Sequence, residues 1–97
     1  MAKVLLVDDD VELAEMLRDY LAGEGFVVEV RHDGDAGTRA ALGGAFDLVV
    51  LDVMMPGIDG LQALRLIRAA SSVPVLMLTA KGDDGDRILG LEEGADD

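Results

Sequence analysis

Three observations predict an α/β fold built on a parallel sheet. Short, almost wholly apolar runs recur at residues 3–7, 27–30, 48–51 and 75–78, and the segments between them carry helical spacing. Two of the runs stop on acids and another on a threonine, so the strand ends gather polar chemistry at one edge. Strands that are apolar on both faces need helices on either side, which makes the class doubly wound rather than antiparallel with a wet face.

The elements follow in order. Val4-Leu5-Leu6-Val7 makes a first strand and closes on Asp8-Asp9-Asp10. A first helix follows, with Leu13, Met16, Leu17, Tyr20 and Leu21 as its apolar stripe, Glu12, Glu15, Arg18 and Asp19 elsewhere on the wheel, and Gly23 and Gly25 ending it. After the second strand, His32 precedes the turn-like pair Asp33-Gly34 and is expected to be a solvent-facing spectator. A short, alanine-rich helix around residues 35–42 leads to the third strand, Leu48-Val49-Val50-Leu51, which ends on Asp52 and opens into Val53-Met54-Met55-Pro56-Gly57. Asp59 caps a third helix, with Gln62 three positions on and Leu61, Leu64 and Ile67 as its stripe. The fourth strand, Val75-Leu76-Met77-Leu78, closes on Thr79. A fourth helix is expected around residues 84–91, although Gly85 and Gly90 each cost it about 1 kcal/mol relative to alanine. The chain stops at Gly94-Ala95-Asp96-Asp97, where the βα rhythm calls for another strand and helix.

Composition bounds the function. A chain of 97 residues allows one domain, taken as residues 1–97. Twenty acids against eight bases give a net charge of −12 with no basic patch, so direct nucleic-acid binding and attraction to anionic lipid are not expected. With no cysteine and a single histidine, thiolate metal sites are excluded and a zinc site is not expected. Apolar stretches are far shorter than the roughly 20 residues that cross a bilayer, and Met1-Ala2-Lys3 leads into a strand without a signal pattern, so a cytoplasmic protein without membrane contact is expected.

The acids carry the chemistry. Two carboxylates about 4 Å apart repel by roughly 4 kcal/mol at an effective dielectric of 20, so Asp8, Asp9 and Asp52 at one edge call for a cation. Oxygen-only ligands point to a hard divalent ion, and magnesium with a phosphate group is the economical reading. A phosphoryl group on Asp52 would share that ion, and Thr79 could donate a hydrogen bond to its oxygens; an aspartyl phosphate is established covalent chemistry. Other motifs fail. Asp83, Asp84 and Asp86 lose the calcium-loop register at Gly85, and Gly23-Glu24-Gly25 follows a helix instead of a strand, so it is no dinucleotide fingerprint.

Leu6-Val7-Asp8-Asp9-Asp10, Leu51-Asp52-Val53-Met54-Met55-Pro56-Gly57, Leu78-Thr79-Ala80-Lys81 and Leu91-Glu92-Glu93-Gly94-Ala95-Asp96-Asp97 resemble, in order, the signatures of bacterial response-regulator receiver domains, most closely the OmpR/PhoB group. The resemblance implies a flavodoxin-like (CheY-like) sheet of order 2-1-3-4-5. It implies transfer of a phosphoryl group from a sensor histidine kinase to Asp52, a role in transcription regulation, and no catalysis beyond Mg2+-dependent self-phosphorylation and dephosphorylation. Asp9, Asp52 and the Met54 carbonyl would be direct Mg2+ ligands, Asp8 would act largely through water, and Thr79 would be the switch hydroxyl.

In the family, an aromatic switch residue and a Lys-Pro pair follow Gly-Ala-Asp-Asp. Those positions lie past Asp97, so the expected order here is 2-1-3-4, with the fifth strand and its helix missing. Lys81 matches a family loop residue and is assigned to solvent rather than phosphate. The fourth strand then becomes an apolar edge and the first helix lacks its neighbour, so self-association and impaired switching are expected. Two other functions compete. One is a phosphorylation-independent interaction or dimerisation module. The other is an aspartate-nucleophile phosphatase of the haloacid-dehalogenase type, which requires an Asp-x-Asp pair where Asp52-Val53-Met54 supplies methionine.

Overall fold

The computed structural model describes residues 2–53, 55, 57–81 and 86–91, with 79–81 and 86–91 described through their backbone. In chain order the elements are β1 (Lys3–Val7), α1 (Val11–Gly23), β2 (Val27–Arg31), α2 (Gly34–Gly43), β3 (Leu48–Asp52), α3 (Gly60–Ala70), β4 (Val75–Lys81) and β5 (Asp86–Leu91). The sheet runs β2-β1-β3-β4-β5, parallel through β4, so the expected 2-1-3-4 core is present.

Side chains that alternate along each strand feed two cores. Leu5, Val7, Val49, Leu51, Val75 and Met77 face α2 and α3, where Ala41, Ala63, Leu64 and Ile67 close over them. Val4, Leu6, Val50 and Leu78 face the other way, toward Ala14, Leu17 and Leu21 of α1. Both faces of β1 and β3 are thus dry, and that is why these strands read as unbroken apolar runs.

Each helix starts on an aspartate whose side chain accepts a backbone N–H: Asp10 from Leu13, Asp33 from Ala36, and Asp59 from Gln62. Such a cap satisfies one of the N–H groups that a helix leaves open at its first turn. Asp33-Gly34, read as a turn, is therefore the cap and first residue of α2.

Four expectations need correction. Residues 86–91 are not a fourth helix but β5, antiparallel to β4, with Thr79 opposite Ile88 and Met77 opposite Gly90. Glycine is costly in a helix, and β4 offers a row of backbone donors and acceptors that a neighbouring strand satisfies. Consequently β4 is not the open edge of the sheet. β4 also continues to Lys81, so Thr79 lies within a strand and Lys81 is not a loop residue. Finally, Met16 and Tyr20 of the α1 stripe are 62% and 64% exposed and Leu61 of α3 is 48% exposed, because each helix meets the sheet along a narrower strip than its sequence periodicity suggests.

Candidate functional site

Register builds the site. Val7 stands opposite Leu51 in the β1/β3 ladder, so Asp8 and Asp52, the next residue on each strand, emerge side by side at the C-terminal edge of the sheet. The order reverses here, with β2 on one side of β1 and β3 on the other, and such a switch point opens a crevice between diverging connections. One carboxylate oxygen from each of Asp8, Asp9 and Asp52 lies within 4.8 Å of the other two. Asp8 and Asp52 are fully buried, whereas Asp9 is exposed. The result is a cup with two acids in its floor and one on its rim.

Three consecutive acids thus have separate work. Asp8 donates its backbone N–H to the Arg31 carbonyl at 3.0 Å, and its Oδ1 accepts the Asp10 N–H at 2.9 Å, which fixes the carboxylate's direction. Asp9 completes the rim, while Asp10 turns away to cap α1.

Asp52 is held from behind. A Cβ on Gly60 would stand 2.3 Å from the Asp52 carbonyl oxygen and 2.6 Å from Val53 Cα, so α3 can start this close to β3 only at a glycine. Gly60 N–H donates to the Val53 carbonyl at 3.1 Å, and Val53 N–H to the Leu78 carbonyl at 3.0 Å. Between them Gly57 takes φ +73°, a left-handed conformation that costs other residues about 1 kcal/mol or more. Gly34, the first residue of α2, approaches this loop so closely that a Cβ would be 2.1 Å from the Ile58 carbonyl oxygen.

The expected acids are therefore brought together. Asp52 pairs with Leu78 in the β3/β4 ladder, so the backbone of Thr79 lies one step past it at the same edge. Met54 lies outside the described residues, as do the calcium-like acids Asp83 and Asp84 and residues 92–97 of the last signature. His32 is exposed in the turn after β2, as expected, and its Nδ1 also lies 3.0 Å from the Asp8 carbonyl oxygen, a contact across 24 residues. Sequence reasoning also passed over Gly34 and Gly60. Their signal was present, since each directly follows the aspartate that caps its helix.

Chemically, the cup offers oxygen ligands alone and concentrates negative charge in a dry floor. Coulomb repulsion there falls when a divalent cation enters, and carboxylates suit a hard ion. The three residues are a set that can hold a metal.

Comparison with known proteins agrees with this geometry. The family profile described as "Response regulator receiver domain" matches residues 4–97. A CpxR homologue of Haemophilus influenzae, a transcriptional regulatory protein, is 54% identical over all 97 residues, which cover 42% of that protein. MtrA of Mycolicibacterium paratuberculosis, a DNA-binding response regulator, is 52% identical over 95 residues, 98% of this chain and 42% of that one. The chain thus spans less than half the length of these relatives. Among solved structures, the response regulator TrrA of Thermotoga maritima, in complex with Mg2+-BeF, superimposes with a TM-score of 0.81 at 34% identity, covering 84% of this chain and 72% of that one. The chemotaxis protein CheY4 of Vibrio cholerae gives 0.79 at 34% identity, covering 86% and 72%. These matches favour neither the phosphatase nor the phosphorylation-independent reading, and on sequence profile, fold and relatives together the chain belongs to the response regulator receiver domain family.

Proposed function

We propose that this chain is the phospho-accepting module of a cytoplasmic two-component system, with Asp52 as the phosphoacceptor and a sensor histidine kinase as the donor. The convergence of Asp8, Asp9 and Asp52 within 4.8 Å carries this reading. A carboxylate oxygen of Asp52 attacks the phosphorus of a phosphohistidine, the P–O bond forms as the P–N bond breaks, and the imidazole leaves with the electron pair. Asp8, Asp9, Asp52 and the Met54 carbonyl would hold Mg2+, with Asp8 acting largely through water. Bound there, the ion supplies positive charge to the oxygens of the transferred group.

The chain's own residues do the rest. Asp8 and Asp10 shape the turn that presents the cup, Gly60 and Gly57 let the chain around Asp52 pack closely at its floor, and Thr79 would be the hydroxyl that meets the phosphoryl oxygens, as its place in the family signature implies. In this role the chain is a regulatory domain whose chemistry is confined to gaining and losing its own phosphoryl group, and the relatives' names support an output in transcription. Self-association belongs to the same proposal. An apolar groove of about 150 Å³, lined by Leu17, Tyr20, Leu21 and Phe26 over Val4 and Leu6, offers a second copy a surface to cover.

Incubation with acetyl phosphate and Mg2+ followed by intact mass tests the central step. The expected result is a gain of one phosphoryl group that disappears in Asp52→Ala. Equal labelling of both proteins would reject Asp52 as the acceptor.

A further inference from the structure

The β2–α2 turn reaches both loops that carry the acids. His32 Nδ1 lies 3.0 Å from the Asp8 carbonyl oxygen, and two residues later Gly34 packs against the Ile58 carbonyl in the loop that follows Asp52. A carbonyl only accepts, so Nδ1 carries the proton and donates it. Arg31, immediately before His32, accepts the Asp8 N–H at 3.0 Å. Both backbone polar groups of Asp8 are thereby tied to the end of β2, one through main chain and one through an imidazole. The Asp10 N–H bond to Asp8 Oδ1 holds the far side of the turn, and the imidazole adds a separate tie on the Asp8 carbonyl, and with it on the peptide leading to Asp9. The side chain of Asp9 stands on the cup's exposed rim, and its position depends on that peptide.

We infer that His32 is a positioning residue for the cation site, holding the peptide between Asp8 and Asp9 through its Nδ1–H bond to the Asp8 carbonyl. The inference rests on the proposed metal site and deepens it. The ring's charge is not involved; what matters is a donor on the atom attached to Cγ. Asparagine places an amide N–H on the equivalent atom, whereas alanine removes the donor. Groups that orient metal ligands from behind are commonly worth an order of magnitude in affinity.

The test is Mg2+ affinity by isothermal titration calorimetry on wild type, His32→Ala and His32→Asn, with the Mg2+-free melting temperature of each. Loss of one hydrogen bond predicts binding weakened about three- to tenfold in His32→Ala. His32→Asn should restore it, and melting without Mg2+ should stay cooperative in all three, lower in His32→Ala by no more than the few degrees that one hydrogen bond is worth. Wild-type affinity in His32→Ala overturns the inference while leaving the metal site standing. So does His32→Asn as weak as His32→Ala, which would assign the effect to the ring's bulk. A His32→Ala protein that no longer melts cooperatively without Mg2+ also overturns it, by showing a general loss of fold. A wild-type protein that binds no Mg2+ removes both the inference and the reading beneath it.

Discussion

At residue scale, Gly60 shows how tightly the site is tied to its scaffold. The Asp52 carbonyl oxygen occupies the space a side chain would need, so Gly60→Ala must push α3 away from β3 or displace Asp52. Overpacking of this kind costs about 1–3 kcal/mol. Urea denaturation should show that loss, together with weaker phosphoryl labelling, whereas an unchanged midpoint would mean that the two elements are not in this contact. The acids themselves were legible in the sequence because a buried parallel strand reads as an apolar run and its end as the first charge. Asp8 and Asp52 are such first charges, and the β1/β3 register converts their equivalent positions into neighbours. The contact of His32 was not legible. Nothing in His32-Asp33-Gly34 indicates that the ring reaches back 24 residues to a main-chain carbonyl, because that contact is created by β1/β2 pairing.

At the scale of elements, α3 depends on its cap. Asp59→Ala removes the acceptor of the Gln62 N–H, bonded at 2.9 Å, and should cost about 1 kcal/mol, read as a lower denaturation midpoint. Stability equal to wild type would show that water replaces the cap without loss. The caps were readable at Asp59 and missed at Asp33 for one reason: Asp-Gly is also a turn signature, and local sequence does not choose between the two. The last element was misread for a different reason. Residues 86–91 are too few for period to separate helix from strand, and the deciding influence is the backbone of β4 alongside, which no local pattern reveals. NMR should give cross-strand contacts between the backbones of Thr79 and Ile88 and of Met77 and Gly90. A run of helical contacts between residues three apart over 86–91 would contradict the strand.

At the scale of the molecule, the charge of −12 and the acidic cup act in the same direction. Self-repulsion weakens the compact state and salt screens it, so the melting temperature should rise between low and physiological ionic strength even without Mg2+. Mg2+ should add stability beyond that of an equal ionic strength of sodium chloride, by about 2.7 kcal/mol at a hundred times its dissociation constant. Identical curves for the two salts would mean that Mg2+ only screens. The doubly wound class was legible in the apolar runs and the helical spacing between them, the 2-1-3-4 order came from the family resemblance, and antiparallel β5 was legible in neither. Size-exclusion chromatography with light scattering should find particles larger than one chain, and a monomer at all concentrations would count against association over the α1 groove. The most direct test of the whole account is a crystal soaked in Mn2+ as a heavier stand-in for Mg2+, with the metal located by anomalous scattering. A peak among the carboxylates of Asp8, Asp9 and Asp52 is expected; a cup without density, with the ion bound elsewhere on the surface, would contradict the cation site.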